Sequence, residues 1–198
     1  MGLRVSAGCG LSLQSGRQSA SGSGKRCMDD IGDDIMVKQA MEVLDSRWTT
    51  AGPWNLPYRV LLVAKLIDRV TARHVRDTAQ LSLAQWRALT HVAHLQPCSA
   101  STISGIAMVD RAEVSRALGA LEEAGLIRRE ANPKNRKSNL VSLTEKGEEI
   151  HAAVRGERGG FYRDWLADIS EEDRATIDAG LRCIAGRIVA RSPDILDV

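Results

Sequence analysis

A run of helix-start and turn signals near the middle of the chain constrains its fold more than any other feature. Ser99 can cap a short helix over residues 100–108, and Asp110, with Glu113 three residues later, has the spacing of a capping box that starts another helix. Gly125 stands where a glycine commonly ends a helix. Two helices joined by so tight a turn predict a helix-turn-helix.

Two short β-prone runs follow this glycine. Residues 126–129 and 140–143 flank a polar turn at 132–135, and this pattern predicts a β-hairpin. A hairpin directly after two such helices gives the order of a winged helix-turn-helix. Residues 128–138 carry five cations and one acid. Because this loop follows a helix suited to recognition, we favour a wing over the DNA backbone and minor groove, rather than a merely solvated loop.

Helix-period patterns predict long helices on both sides of this segment. Residues 54–77 alternate apolar and charged faces, Ser82 opens the next helix, Thr144 opens a long one, and Ser170 caps a last helix whose apolar stripe runs over 177–188. The predicted order is helix, helix, short helix, helix, hairpin, helix, helix. The predicted fold class is mainly α with a small β-hairpin wing (α+β), a winged helix-turn-helix with a helical dimerisation layer.

Composition and charge divide the chain into segments. Residues 1–27 are rich in Gly and Ser and carry cations without acids, which predicts a disordered N-terminal extension; a basic arm on DNA phosphates is the alternative. Met28 is a further candidate for the start of translation. We predict N-terminal dimerisation helices over 28–80, a DNA-binding domain over 81–147 and C-terminal dimerisation helices over 148–198.

The helix that begins after Asp110 presents the side chains that base recognition needs. Arginine can pair with both acceptors of a guanine, and small residues between arginines let a helix approach the groove floor. Glu113 has two interpretations, since it either accepts from a cytosine amino group or only completes the cap. Hydroxyls and free amides at the start of the preceding helix can bind phosphate. The predicted DNA contacts are Ser99, Ser101, Thr102, Asp110, Arg111, Ala112, Glu113, Ser115, Arg116, Lys134, Arg136, Lys137 and Ser138.

Composition also bears on compartment and on enzyme function. The net charge of +2 does not by itself indicate a nucleic-acid partner, and the four cysteines are far apart, which predicts free thiols in a reducing, cytoplasmic compartment. No apolar run reaches the ~20 residues that span a bilayer.

An enzyme with a winged-helix module would need a Gly-rich cofactor loop after residue 147, and there Gly156, Gly159 and Gly160 only interrupt a helix. We therefore expect no enzyme, catalytic residue or cofactor. A protein-binding adaptor is disfavoured by the retained arginines.

With these residues in place, the chain resembles the MarR (multiple antibiotic resistance regulator) family. The resemblance covers roughly residues 55–190 and rests on QWRAL at 85–89, VDRAEVSRALGALEEAGLIRR at 109–129 and NPKNRKSNLVSLTEKG at 132–147. It implies a homodimer held by its terminal helices and bound to a pseudo-palindromic operator. It also implies a repressor that a small, often aromatic, ligand releases. A dimer follows from physics as well, because two half-sites lie roughly 34 Å apart on DNA.

Two positions depart from the family pattern. Arg136 matches the wing-tip arginine that enters the minor groove, but Asn135 stands where the family usually has the Asp that helps to hold it. Ile103-Ser104-Gly105 replaces a common Glu-Leu-Ala, and Gly105 should weaken its helix by about 1 kcal/mol relative to Ala.

The resemblance also implies a ligand pocket lined by the first, second and fifth family helices. An aromatic wall with cationic or imidazole donors would suit a phenol, an aromatic acid or an aldehyde, although for Trp86 we favour a place in the core. His91 and His94 could meet one metal ion, but nothing nearby completes a site, so none is expected. Redox sensing through Cys27 or Cys98 is a further alternative. The candidate ligand residues are Tyr58, Arg59, His74, Trp86, Arg87, His91 and His94.

Overall fold

The computed structural model describes residues 34–50, 55–135 and 138–196, which fall into two units divided between residues 51 and 52. The extension predicted at 1–27 lies outside the described residues. In chain order the elements are α1 (Ile35–Thr50), α2 (Leu56–Ala79), α3 (Leu83–Leu95), β1 (Cys98–Ser99), α4 (Ala100–Ala107), α5 (Arg111–Glu123), β2 (Ile127–Ala131), β3 (Asn139–Leu143), α6 (Glu145–Trp165), α7 (Glu171–Arg191) and a 3₁₀ turn (Pro193–Leu196).

The first unit contributes α1. The Asp34 carboxylate accepts a hydrogen bond from the Met36 amide at 2.8 Å, which satisfies one free donor at the helix start. No side chain of α1 is buried within this unit. The predicted order began at 54–77 and lacked this helix, because its apolar residues follow no clear stripe.

The capping signals at Ser82, Thr144 and Ser170 are confirmed. Ser82 and Gln85 form a reciprocal capping box, with bonds of 3.2 and 2.7 Å, and the Thr144 hydroxyl accepts from the Gly147 amide at 3.1 Å. Ser170 accepts from the Asp173 amide at 3.1 Å. Local hydrogen-bonding chemistry therefore sets where these helices begin.

Gly125 ends α5 in the left-handed conformation, with φ +70°. The amide of the next residue, Leu126, bonds Leu121 O at 2.9 Å, and the Gly125 amide bonds Glu122 O at 2.9 Å, which is a Schellman motif. The Leu126 carbonyl then accepts from the Thr144 amide at 3.0 Å. These bonds join the end of α5 to the start of α6.

Gly147 lies at the same junction and has no room for a side chain. A Cβ at this position would lie 2.0 Å from the Leu126 carbonyl oxygen, which is backbone and cannot swing away. The first turn of α6 can therefore pack against the end of α5 only with glycine here. This close approach gives a physical reason for the glycine of the Leu-Thr-Glu-Lys-Gly stretch.

The predicted hairpin is present, and it belongs to a sheet of three strands in the order β1-β3-β2. All pairs are antiparallel, with Ile127 opposite Leu143 and Cys98 opposite Val141. The sequence analysis missed β1, because a strand of two residues is too short to show alternation. This strand ties the start of α4 to the wing.

One core joins α2 to α6 around α3 and α5. Trp86 belongs to it, with 4% of its surface exposed. Its members are Val75, Leu81, Trp86, Ala88, Leu89, Val92, Cys98, Ile103, Val114, Ala117, Leu118, Leu121, Leu126, Ile127, Val141, Leu143 and Val154.

The later part of α6 corrects one prediction. Gly156, Gly159 and Gly160 do not interrupt a helix, since α6 is continuous from Glu145 to Trp165. The helix is held by packing of its earlier turns on the core, which outweighs the glycine cost of roughly 1 kcal/mol per residue. Within the described residues, no helix is both long enough and apolar enough to cross a membrane.

Candidate nucleic-acid interface

Helix α5 has one buried and one exposed face, as the sequence predicts. Asp110 caps it, and one carboxylate oxygen accepts from the amides of Ala112 at 2.8 Å and Glu113 at 3.2 Å. The buried face is Val114, Ala117, Leu118 and Leu121, and the exposed first turns carry Arg111, Ala112, Glu113, Ser115 and Arg116. The packing of the buried face thus fixes which residues point outward.

The cap of α5 is only half of the predicted capping box. The Glu113 carboxylate returns no hydrogen bond to Asp110 and forms no ion pair with any described residue. Of the two interpretations of Glu113, the completed cap is therefore wrong. Its exposed carboxylate remains able to accept a hydrogen bond from outside the chain.

The cations of this region differ in whether an acid neutralises them. Arg128 pairs with Glu130 at 3.1 Å and Arg129 pairs with Glu122 at 2.8 Å. In contrast, the side chains of Arg111, Arg116 and Lys134 form no ion pair within the described part of the chain. The net charge of the hairpin already counts Glu130 but not Glu122, so it overstates by one charge what the hairpin offers an anion.

The start of α4 holds a cluster of hydroxyls. Ser99 Oγ lies 2.8 Å from both Ser101 Oγ and Thr102 Oγ1 and accepts from the Thr102 amide at 3.1 Å. Ser101 and Thr102 are exposed. This arrangement suits a positioning contact with phosphate oxygens.

Asn132 and Ser138 hold the turn of the wing. Asn132 Nδ2 donates to Ser138 Oγ at 3.0 Å, and Asn132 Oδ1 accepts from the Lys134 amide at 2.9 Å. The Ser138 amide bonds Asn135 O at 3.0 Å. The other two predicted wing contacts, Arg136 and Lys137, lie outside the described residues. The sequence analysis placed Asn132 in the polar turn but did not predict that its side chain bonds both ends of that turn.

A cavity of about 300 Å³ lies between α3 and α6. Its lining offers two guanidinium groups, two imidazoles and aromatic rings, and no carboxylate. The lining residues are Trp86, Thr90, His94, His151, Arg155, Arg158, Gly159 and Tyr162. Its size matches the lower end of small-molecule pockets.

His151 forms the buried side of this cavity. Its ring stacks on Trp86 with centroids 5.4 Å apart and meets His94 edge-on at 6.0 Å. Its Nε2 is buried without a hydrogen-bond partner in the described chain, as is Thr90 Oγ1, an arrangement that costs about 1–3 kcal/mol per group. Burial, then the charges of His94 and Arg155, lower the pKa of His151, so the ring is neutral near pH 7.

The seven residues predicted to bind a ligand do not share one cavity. Trp86 and His94 line the cavity between α3 and α6. Arg87 and His91 line a separate narrow cleft beneath α5, and burial, followed by His94 and Arg87, lowers the pKa of His91. The other three, which line neither, are Tyr58, Arg59 and His74.

Sequence reasoning missed the α6 side of the cavity. His151, Arg155, Arg158 and Tyr162 are spaced four, three and four residues apart, which places them on one face of a helix. Polar and aromatic residues at a spacing that usually carries aliphatic core residues were the available signal. Among the described residues, no group of His, Cys, Asp and Glu side chains could hold a metal ion.

Comparison with known proteins agrees with this geometry. Residues 81–138, from the start of α3 to the wing turn, match the model of the MarR family. An uncharacterized HTH-type transcriptional regulator of Bacillus subtilis (strain 168), YdgJ, is 26% identical over 127 residues, covering 64% of this chain and 77% of the relative. The transcriptional regulator HosA of Escherichia coli O111:H- is 26% identical over 110 residues, covering 56% and 82%.

Solved structures share the fold. The transcriptional regulator SlyA superposes with a TM-score of 0.60 at 22% identity, covering 67% of this chain and 93% of its own. A mutant of MarR from E. coli, crystallised with operator DNA, superposes with a TM-score of 0.61 at 19% identity, covering 69% and 97%. The predicted fold class, mainly α with a winged helix, is thereby confirmed.

Proposed function

We propose that the chain is a DNA-binding transcription regulator of the MarR family, and that it is a homodimeric repressor which a small aromatic ligand releases from a pseudo-palindromic operator. Its relatives are transcription regulators and not enzymes. We expect it to act in the cytoplasm, where its DNA target lies.

The unpaired arginines of α5 carry the DNA-binding part of the proposal. Arg111 and Arg116 stand on the exposed face of a helix whose other face is locked into the core. A winged helix places such a helix in the major groove, where an arginine without an acidic partner can donate to a guanine. We assign phosphate contacts to Ser101, Thr102 and Lys134, and the minor groove to Arg136.

Exposed apolar side chains support the homodimer. Ile177 and Ile188 of α7 each expose 51% of their surface, and no residue of α7 is buried. An apolar groove of about 480 Å³ also runs between α2 and α6, lined by Val63, Leu66, Ile67, Val70, Tyr162, Trp165, Leu166 and Ile169. Apolar surface of this extent is typical of a protein interface, and a second copy would cover it.

The cavity between α3 and α6 is the candidate ligand site. Trp86 and Tyr162 supply ring surfaces, and Arg155 and Arg158 supply donors for a polar substituent. Because α3 also packs directly on α5, occupancy here can bias the spacing of the two recognition helices of a dimer. Of the predicted ligand residues, Trp86 and His94 remain in this assignment.

Arginine substitutions test the DNA-binding proposal. On DNA from the intergenic region upstream of the gene, Arg116→Ala should cost about 1–3 kcal/mol at one base pair if Arg116 reads a base. Arg136→Ala should weaken binding to all sequences and lower its salt dependence by roughly one ion. Arg76→Ala, at an exposed position near the end of α2, is the control and should leave both measurements unchanged. Wild-type affinity and salt slope in both of the first two variants would refute the proposed interface.

A further inference from the structure

Arg174, in the first turn of α7, reaches back across the turn that joins this helix to α6. Its Nε donates to the Ile169 carbonyl at 2.9 Å, and its Nη2 donates to the Leu166 carbonyl. Because Leu166 is the residue that ends α6, one guanidinium spans the connection from the end of one helix to the start of the next. Hydrogen bonds from a charged donor are stronger than those between neutral groups, and a cation at the C-terminal end of a helix is also favoured by the helix dipole.

The contact of Arg174 with main-chain carbonyls is specific, because carboxylates are close by and do not hold it. Five acids lie within six residues of it in the sequence, and none of them forms an ion pair with it in the described chain. The Asp173 carboxylate instead accepts from the Ser170 hydroxyl at 2.7 Å, and Asp178 pairs with Arg182 at 2.8 Å. The guanidinium therefore depends on the turn conformation, which brings the two carbonyls within its reach.

Packing within one chain does little to fix the direction of α7. No residue of this helix is buried, and the connection of five residues from 166 to 170 contains no proline to stiffen it. The helix has 21 residues, so it is about 30 Å long, and a change of about 10° in its angle to α6 would move its far end by about 5 Å. The angle between α6 and α7 is thus restrained mainly at the turn.

The two residues that Arg174 binds also belong to the proposed dimer surface. The side chains of Leu166 and Ile169 line the apolar groove between α2 and α6, while their carbonyls accept from Arg174. The other part of that surface is the exposed apolar stripe of α7, which includes Ile177 and Ile188. Arg174 therefore holds the groove and the stripe in one fixed relation, and this relation decides where a second copy is seated.

We propose that Arg174 is a positioning residue, which fixes the angle between α6 and α7 and thereby the distance between the two recognition helices of the dimer. Half-sites one DNA turn apart lie roughly 34 Å from each other, and adjacent base pairs are about 3.4 Å apart, so a displacement of about 5 Å is enough to favour another spacing. The inference rests on the proposed function and specifies what sets the half-site spacing of its operator.

Operators of altered spacing test this role. Arg174→Ala, Arg174→Lys and the wild type are compared on the operator footprinted in the intergenic DNA, and on versions with one or two base pairs inserted at its centre. One inserted base pair should weaken wild-type binding by about tenfold and that of Arg174→Ala by about threefold or less, because a dimer that populates several spacings fits both operators. Arg174→Lys should lie between them, since a single ammonium replaces the guanidinium fork that binds two carbonyls.

Arg163→Ala is the matched control, since Arg163 is an exposed arginine in the last turn of α6 that forms no ion pair within the described residues. It should keep the wild-type penalty for altered spacing. All four proteins should show the same dimer dissociation constant by sedimentation, because the role of Arg174 is to orient the interface and not to form it.

The distance between the recognition helices is also measured without DNA, by pulsed electron paramagnetic resonance between spin labels on a non-canonical amino acid at position 123, an exposed site at the end of α5. The distribution should be narrow for the wild type and Arg163→Ala, and broad for Arg174→Ala. The inference is overturned if Arg174→Ala keeps either the spacing penalty or the distance distribution of the wild type, or if Arg163→Ala loses them equally. A dimeric wild type that does not bind the intergenic DNA would refute the proposed function, and the label distances would then decide the inference alone. A monomeric wild type would overturn both.

Discussion

The winged-helix segment and the last long helix bury very different shares of their apolar side chains. In α5, Leu118 and Leu121 are fully buried, whereas in α7 Ile177 and Ile188 each expose half of their surface. The first region satisfies its hydrophobic pattern with its own chain, and the second has the same kind of pattern with nothing from its own unit to cover it. A helix of this kind gains little stability alone, so its apolar stripe indicates a partner surface.

Of the substitutions considered, Gly147→Ala should have the largest effect, because it disrupts the buried packing of the winged-helix segment. The added Cβ would lie 2.0 Å from the Leu126 carbonyl oxygen, so α6 must move away from the end of α5. We expect the free energy of unfolding in urea to fall by at least about 2 kcal/mol, as for other overpacked sites. An unchanged midpoint would mean that the junction is looser than its hydrogen bonds indicate.

Leu181→Glu should abolish dimerisation through α7 while the winged-helix segment stays folded. Leu181 exposes 42% of its surface in one chain, so a charge there costs the protomer little but would be buried in a dimer. Sedimentation should show a dimer for the wild type and a monomer for the variant, with unchanged helix content in the winged segment. Leu181→Lys should act in the same way, because burial and not the sign of the charge is the cause. If both Leu181→Glu and Leu181→Lys remain dimers, the apolar stripe of α7 is not part of the dimer interface.

Features that depend on local hydrogen bonds could be predicted from the sequence, whereas features that depend on packing between distant segments could not. Ser82, Thr144 and Gly125 act through hydrogen bonds within a few residues, so their signals are readable locally, and the hairpin and the exposed face of α5 follow from them. The cavity depends on which turn of α6 faces Trp86, and this is set by packing between distant segments. Consequently Trp86 and His94 were named, while the four α6 residues that face them were not.

His151 should make stability depend on pH at the contact between α6 and the core. Its pKa is lowered, mainly by burial, whereas in the unfolded chain it is about 6.5. As the pH falls through that value the unfolded chain takes up a proton first, so the free energy of unfolding should decrease between about pH 7 and pH 5.

His151→Phe sharpens this expectation, because phenylalanine can keep the stack on Trp86 but does not titrate. Urea unfolding at the two pH values should show a smaller decrease for the variant. A residual decrease should remain, since the pKa of His91 is also lowered. An equal decrease in wild type and variant would show that His151 does not carry this pH dependence.

Gly105→Ala should have the smallest effect and the opposite sign to Gly147→Ala. Nothing lies within 4 Å of a Cβ built at Gly105, and the residue is in the second turn of α4, where alanine is favoured over glycine by up to about 1 kcal/mol. We expect a slightly higher urea midpoint with unchanged DNA affinity. A loss of affinity without a loss of stability would mean that α4 approaches the DNA closely at this glycine. The two glycines would then be retained for different reasons, one for contact within the chain and the other for contact with the operator.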